Sequence, residues 1–255
     1  MQDSKLPVRV WLCAMWLFAT QKDGISAKSL QDNLGLKSCR SAWSLLHKLR
    51  IAMIRSGRDK LSGVVEIGEE HLGGVLEGGK RGRGSENKQL IALAVQLERI
   101  PGDNPDRPAL RDCRLSKIRA KHILNASKAE LHSFIKENIV VGSTLIRDGW
   151  AGYPGIDKEG YHSEVVKVTK ATSEDEKLPH IHLAMSLINR WILGTYQGNI
   201  GECNLQAYLE EFTFRFNRKT SHNRGWLFYR MVQGAVSTEP HPYETLIQKQ
   251  VTSSA

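Results

Sequence analysis

Residues 64 to 74 read VVEIGEEHLGG. The apolar start predicts a buried strand, and the cluster of Glu66, Glu69 and Glu70 predicts chemistry at its end. Side chains alternate along a strand, so positions 66, 68 and 70 share one face and Glu69 takes the other. The middle position of the acidic face is Gly68. Same-face neighbours stand roughly 6.5 to 7 Å apart, whereas two-metal phosphoryl-transfer centres hold their ions roughly 3.5 to 4 Å apart. A carboxylate at 66 or 70 therefore does not simply stand in for one at 68.

Upstream, residues 7 to 55 carry apolar residues at helical spacing. A first helix stops at Gly24. A second opens at Ser26 and runs to about Asn33. After a turn near Gly35, a third starts near Ser38 and presents Trp43, Leu46, Leu49 and Met53 on one face. Two short helices joined by a glycine-containing turn have the form of a helix-turn-helix, with Lys37 and Arg40 at the start of the recognition helix. The same pattern also suits a plain three-helix bundle. The basic stretch RSGRDKLSG (55 to 63) predicts a linker.

Downstream, the periodicity is that of strands. KQLIALAVQLE (88 to 98) is almost wholly apolar, DCRLSKIR (112 to 119) follows, and SKAELHSFIKENI (127 to 139) opens a helix with a capping box. The glycine-rich loop between the first two strands holds Lys80, Arg81 and Arg83. It suits a phosphate backbone and a solvated hairpin equally well. STLIRDGW gives a short strand ending in Asp148, YHSEVVKVTK another, and from about Pro179 the chain is helical again. The fold class expected is α/β of the α+β type: a helical module over 1–57, a mixed sheet covered by helices over 58–240, and a tail over 241–255.

The chain has 255 residues and a formal charge of +9, with 40% hydrophobic residues. A basic chain without an apolar run long enough to span a membrane points to nucleic acid as its partner, although a solvated basic surface gives the same balance. Four scattered cysteines without a CxxC pair exclude a readable zinc ribbon and fit a reducing cytoplasm. Asp148 at a strand end suits a metal or an ordinary Asp-Gly turn. His182 lies 34 positions further on, in the helix after Leu178.

The blocks GVVEIGEEHLGG, STLIRDGWAGY, LPHIHLAMSLINRWILGTYQG and YLEEFTFRFNRKTSHNRGWLFYRMVQGAV together resemble the insertion-sequence transposases of the fifteen-ninety-five family, ISXO-two-like branch. The likeness runs from about Leu6 to Val236. It implies a DDE-type, RNase H-like core that cuts and joins DNA with two divalent ions, Mg²⁺ or Mn²⁺. The family's first acid falls on Gly68, its second on Asp148 and its third position on His182, while a basic residue often found in its Leu-Lys-Arg-Trp block becomes Asn189 here, with Arg190 retained as a DNA contact. The expected metal ligands are thus Asp148 and His182, with Glu66 and Glu70 as neighbours able to shift inward. The resemblance also implies a zinc ribbon ahead of the helix-turn-helix, for which this sequence has no matching cysteines. The partners implied are double-stranded DNA at the element's terminal inverted repeats and further copies of the chain. Three readings follow: an impaired but active transposase, a non-catalytic remnant acting as repressor or trans-inhibitor, and a nuclease on other DNA.

Overall fold

The structure is a computed structural model, and it describes residues 4–54, 58–72, 89–100, 113–166, 178–197, 200, 204–221 and 223–247. By internal contacts the chain forms two compact units, Asp59–Arg190 and a helical unit of Met1–Arg58 with Trp191–Ala255.

In the Asp59–Arg190 unit, β1 (Val64–Leu72), β2 (Gln89–Arg99), β3 (Cys113–Ile123), β4 (Thr144–Arg147) and β5 (His162–Val165) form one sheet. The strand order is β3-β2-β1-β4-β5. β1, β2 and β3 pair antiparallel, whereas β4 lies parallel to both β1 and β5. Three antiparallel strands followed by parallel ones reached through a helix is the RNase H-like order expected. Helix α4 (Lys128–Asn138) opens at Ser127, whose side chain accepts from the Glu130 N–H. Val65 and Ile67 of β1 point into a core with Leu131, Phe134, Ile135, Tyr153 and Tyr161. By alternation Glu66, Gly68 and Glu70 occupy the opposite face. Their antiparallel partners there are Val95, Leu93 and Ile91, all fully buried. Helix α5 (Pro179–Tyr196) begins in this unit and ends in the other.

The helical unit contains α1 (Val8–Thr20), α2 (Ala27–Leu34), α3 (Cys39–Met53), α6 (Leu205–Phe216), α7 (Arg224–Ser237) and α8 (Tyr243–Ile247). Ser26 caps α2 through the Ser29 N–H. Gly35 ends it in the left-handed region (φ +61°), and Ser38 then caps α3. Phe214 and Met231 share one core with Trp11, Phe18, Leu30, Leu46 and Leu49. The C-terminal helices α6 and α7 thus bury their apolar faces against α1 and α3. At the crossing of α7 on α3, Gly234 lies so close that a Cβ would stand 2.0 Å from the Ala52 carbonyl oxygen. The unit also buries an ionic network. Arg50 Nε donates to Glu211 Oε2 at 2.8 Å, Arg215 Nε to Glu211 Oε1 at 2.8 Å, and Arg50 Nη2 to the Tyr196 hydroxyl at 3.2 Å. Arg50 and Glu211 side chains are 1% and 0% exposed, so each charge depends on the other.

Candidate functional site: the seam between β1 and α5

Glu66 is fully buried. Its Oε1 lies 2.7 Å from His180 Nδ1, and its Oε2 accepts from the backbone N–H groups of His180 (3.0 Å) and Ile181 (3.2 Å). Pro179 is the first residue of α5, the position where a missing N–H costs nothing. The strand carboxylate thus serves as the helix cap, taking the first available donors and meeting the positive end of the helix dipole. The other His180 nitrogen, Nε2, lies 3.1 Å from the Cys113 carbonyl oxygen. Both neighbours are acceptors, an arrangement that favours the protonated ring. Burial alone would pull His180 down. The hydrogen bond and charge of Glu66, with the Cys113 carbonyl, hold it above its ordinary value.

Gly68 sits one step along the same face. A Cβ there would meet Leu178 Cδ1 at 3.3 Å and Ile181 Cγ2 at 3.4 Å. The space into which a side chain at 68 would project is therefore closed by two apolar side chains at the start of α5. At the next step Glu70 Oε1 lies 2.5 Å from His182 Nδ1, both half-buried.

Asp148 follows β4 directly and is half-buried. β1 and β4 run in parallel register, with Glu66 beside Ile146 as the last pair. The Asp148 Oδ1 accepts from the Trp150 N–H at 3.0 Å, the turn-capping use of Asp-Gly. On the other face of β1, Glu69 Oε2 accepts from the Tyr153 hydroxyl at 2.8 Å. Burial first, and then the charge of Glu69, push the Tyr153 phenol well above its ordinary range.

The family model described as the ISXO2-like transposase domain matches residues 60–217, well over half of the chain. The chain belongs to the ISXO2-like transposase family. Among curated proteins none matches it. One solved structure similar to it is the catalytic core domain of BIV integrase in crystal form I, at 13% identity and a TM-score of 0.39, covering 68% of this chain and 97% of that one.

DDE-type transposases generally work with divalent metal ions, and the residues of this family member do not fit a two-metal centre. Position 68 offers no ligand and is packed over. Both Glu66 oxygens are taken by N–H donors inside the protein, so Glu66 holds a helix and is not available to an ion. Among the described residues no three His, Cys, Asp or Glu side chains are grouped to hold a metal. Of the four ligands expected from sequence, the structure pairs Glu70 with His182 and gives Asp148 a turn-capping bond. His180 is the residue that sequence reasoning passed over. Its neighbour Pro179 marks a helix start, but nothing local says which distant acid caps it.

Of the DNA-contacting residues expected in this transposase-family chain, Lys37 and Arg40 are exposed at the start of α3, and Arg190 is exposed on α5. The Arg40 guanidinium lies 5.0 Å from the centre of the Tyr243 ring. Lys80, Arg81 and Arg83 lie outside the described residues. No helix among those described is long and apolar enough to cross a membrane.

Proposed function

We propose that this transposase-family protein binds double-stranded DNA at the terminal inverted repeats of its element through α2 and α3, and is impaired in metal-dependent strand cleavage and transfer. The observation that carries the reading is the seam itself: Leu178 and Ile181 fill the position of the first acid, and Glu66 is bound to the start of α5. Support for the DNA half comes from the net charge of +9 and from the capped turn between α2 and α3, which leaves Lys37, Arg40 and Ser41 exposed at one helix start. A protein that occupies element ends without cutting them acts as a repressor or trans-inhibitor of active copies. The same reading places it in the cytoplasm on the nucleoid, with copies associating on DNA.

The test is one binding and cleavage experiment on terminal-repeat duplex with Mg²⁺ or Mn²⁺. The expected result is a retarded complex without nicked or joined product. Nicking that disappears on Asp148→Ala or with chelator would overturn the impairment, and absence of any complex would overturn the DNA reading.

A further inference from the structure

From Phe212 to Thr238 the chain carries five basic residues, Arg215, Arg218, Lys219, Arg224 and Arg230, and no aspartate or glutamate. Helix α7 lies within this stretch. It buries Leu227 and Met231 and packs Phe228, Val232 and Ala235 on the core of the helical unit. Its opposite face presents two large rings to solvent, Trp226 at 57% and Tyr229 at 50% exposure. Their centroids lie 5.7 Å apart with the planes 83° from parallel, so each ring offers its own platform. Arg230 is exposed beside them, its guanidinium donating to Gln233 Oε1 at 3.1 Å, and Arg224 is exposed at the start of the helix.

Single exposed apolar side chains need no partner, but adjacent rings rimmed by polar residues mark an interaction site. A second copy of this chain would bring another net positive charge to a basic face. Nucleic acid supplies both complements, phosphates for the arginines and bases for the rings. Stacked base pairs hide their faces inside a duplex, whereas an unpaired strand presents every base to an aromatic platform.

We propose that the outer face of α7 binds single-stranded DNA, with Trp226 and Tyr229 stacking on unpaired bases and Arg230 holding a flanking phosphate. The site is separate from the duplex-reading surface proposed for α3 and shares with it only the choice of DNA as polyanion. Bases become unpaired wherever element ends are melted or left as tails.

The experiment measures binding of the full chain to a labelled oligothymidylate and to a labelled terminal-repeat duplex, at low and moderate salt. Trp226→Ala with Tyr229→Ala should weaken single-strand binding by about tenfold or more and leave duplex binding unchanged. Arg230→Ala should weaken it and flatten its salt dependence. Lys37→Ala with Arg40→Ala should do the reverse, lowering duplex affinity alone, so failure at α3 and failure at α7 are read separately. The pair Trp226→Leu and Tyr229→Leu keeps helix propensity while removing the rings, and should match the alanine pair. Unchanged oligothymidylate affinity in the leucine pair overturns the proposal. So does equal loss on both DNAs, or a change of oligomeric state in sedimentation, which would make the face a contact between copies.

Discussion

Glu66 Oε1 and His180 Nδ1 stand 2.7 Å apart in the interior of the sheet unit, across 114 positions of sequence. The pair fastens the start of α5 to β1, and it uses an acid that the family resemblance had offered to a metal. Removing one member leaves the other charged and buried. Glu66→Gln or His180→Leu should each lower the unfolding free energy by about 3 to 5 kcal/mol. The denaturant midpoint of each variant checks this, and a change within error would show the pair to be dispensable.

Position 68 gives the second prediction. An aspartate at the family position invites the expectation that Gly68→Asp restores cleavage. The packing argues against it, because Leu178 and Ile181 must yield to the new Cβ and the carboxylate would sit beside Leu93 on an apolar face. Gly68→Asp should stay inactive with Mn²⁺ and lose about 2 to 4 kcal/mol of stability. Metal-dependent nicking by the single mutant would refute the seam as the cause of impairment.

At α3, replacing Lys37 and Arg40 by alanine should weaken duplex binding and reduce the slope of log affinity against log salt by about 0.9 for each phosphate contact removed. Titrations at several salt concentrations measure the slope. An unaltered slope would place the DNA elsewhere.

His47 supplies a pH dependence. Burial first, and then the neighbouring Arg50 charge, pull it down to about 3, and its Nε2 has no hydrogen-bond partner among the described residues. The folded protein therefore keeps the ring neutral while the unfolded chain takes up a proton below about pH 6.5. Its contribution is complete above that pH and falls as pH drops toward 3, by on the order of 4 kcal/mol in all. His47→Leu should remove most of this acid sensitivity. The difference in stability between wild type and variant, followed from pH 7 to pH 4, is the measurement. Comparing the two proteins cancels His180, whose raised value acts with the opposite sign.

Gly234 sets α7 directly against the backbone of α3. Gly234→Ala drives a Cβ into the Ala52 carbonyl, and α7 must separate from α3 to admit it. A loss of about 1 to 3 kcal/mol or more is expected, seen as a lower melting midpoint. Wild-type stability in this variant would mean that the two helices are not held at that spacing.

The turn between α2 and α3 was readable because Ser26, Gly35 and Ser38 act on their own neighbours. Strand alternation likewise placed 66, 68 and 70 on one face before any partner was known. What meets that face was not readable, since Leu178, His180 and Ile181 declare a helix start but not its strand. The family motif named the positions of the acids. It did not tell that Glu66 would be spent on backbone N–H groups. Nor did the amphipathic pattern of α6 and α7 say which surface they cover; an apolar stripe records that a face is buried, not against what.

The residues of the sheet unit are contiguous, 59 to 190, whereas the helical unit is assembled from both ends of the chain. Phe214 and Met231 are synthesised long after Trp11, Phe18 and Leu46, whose core they complete. During translation α1, α2 and α3 therefore leave the ribosome before the helices that complete their core. A chain that stops before α6 ends with a complete sheet and an open helical core. Termination at that point thus falls hardest on helices that lie before the sheet in sequence.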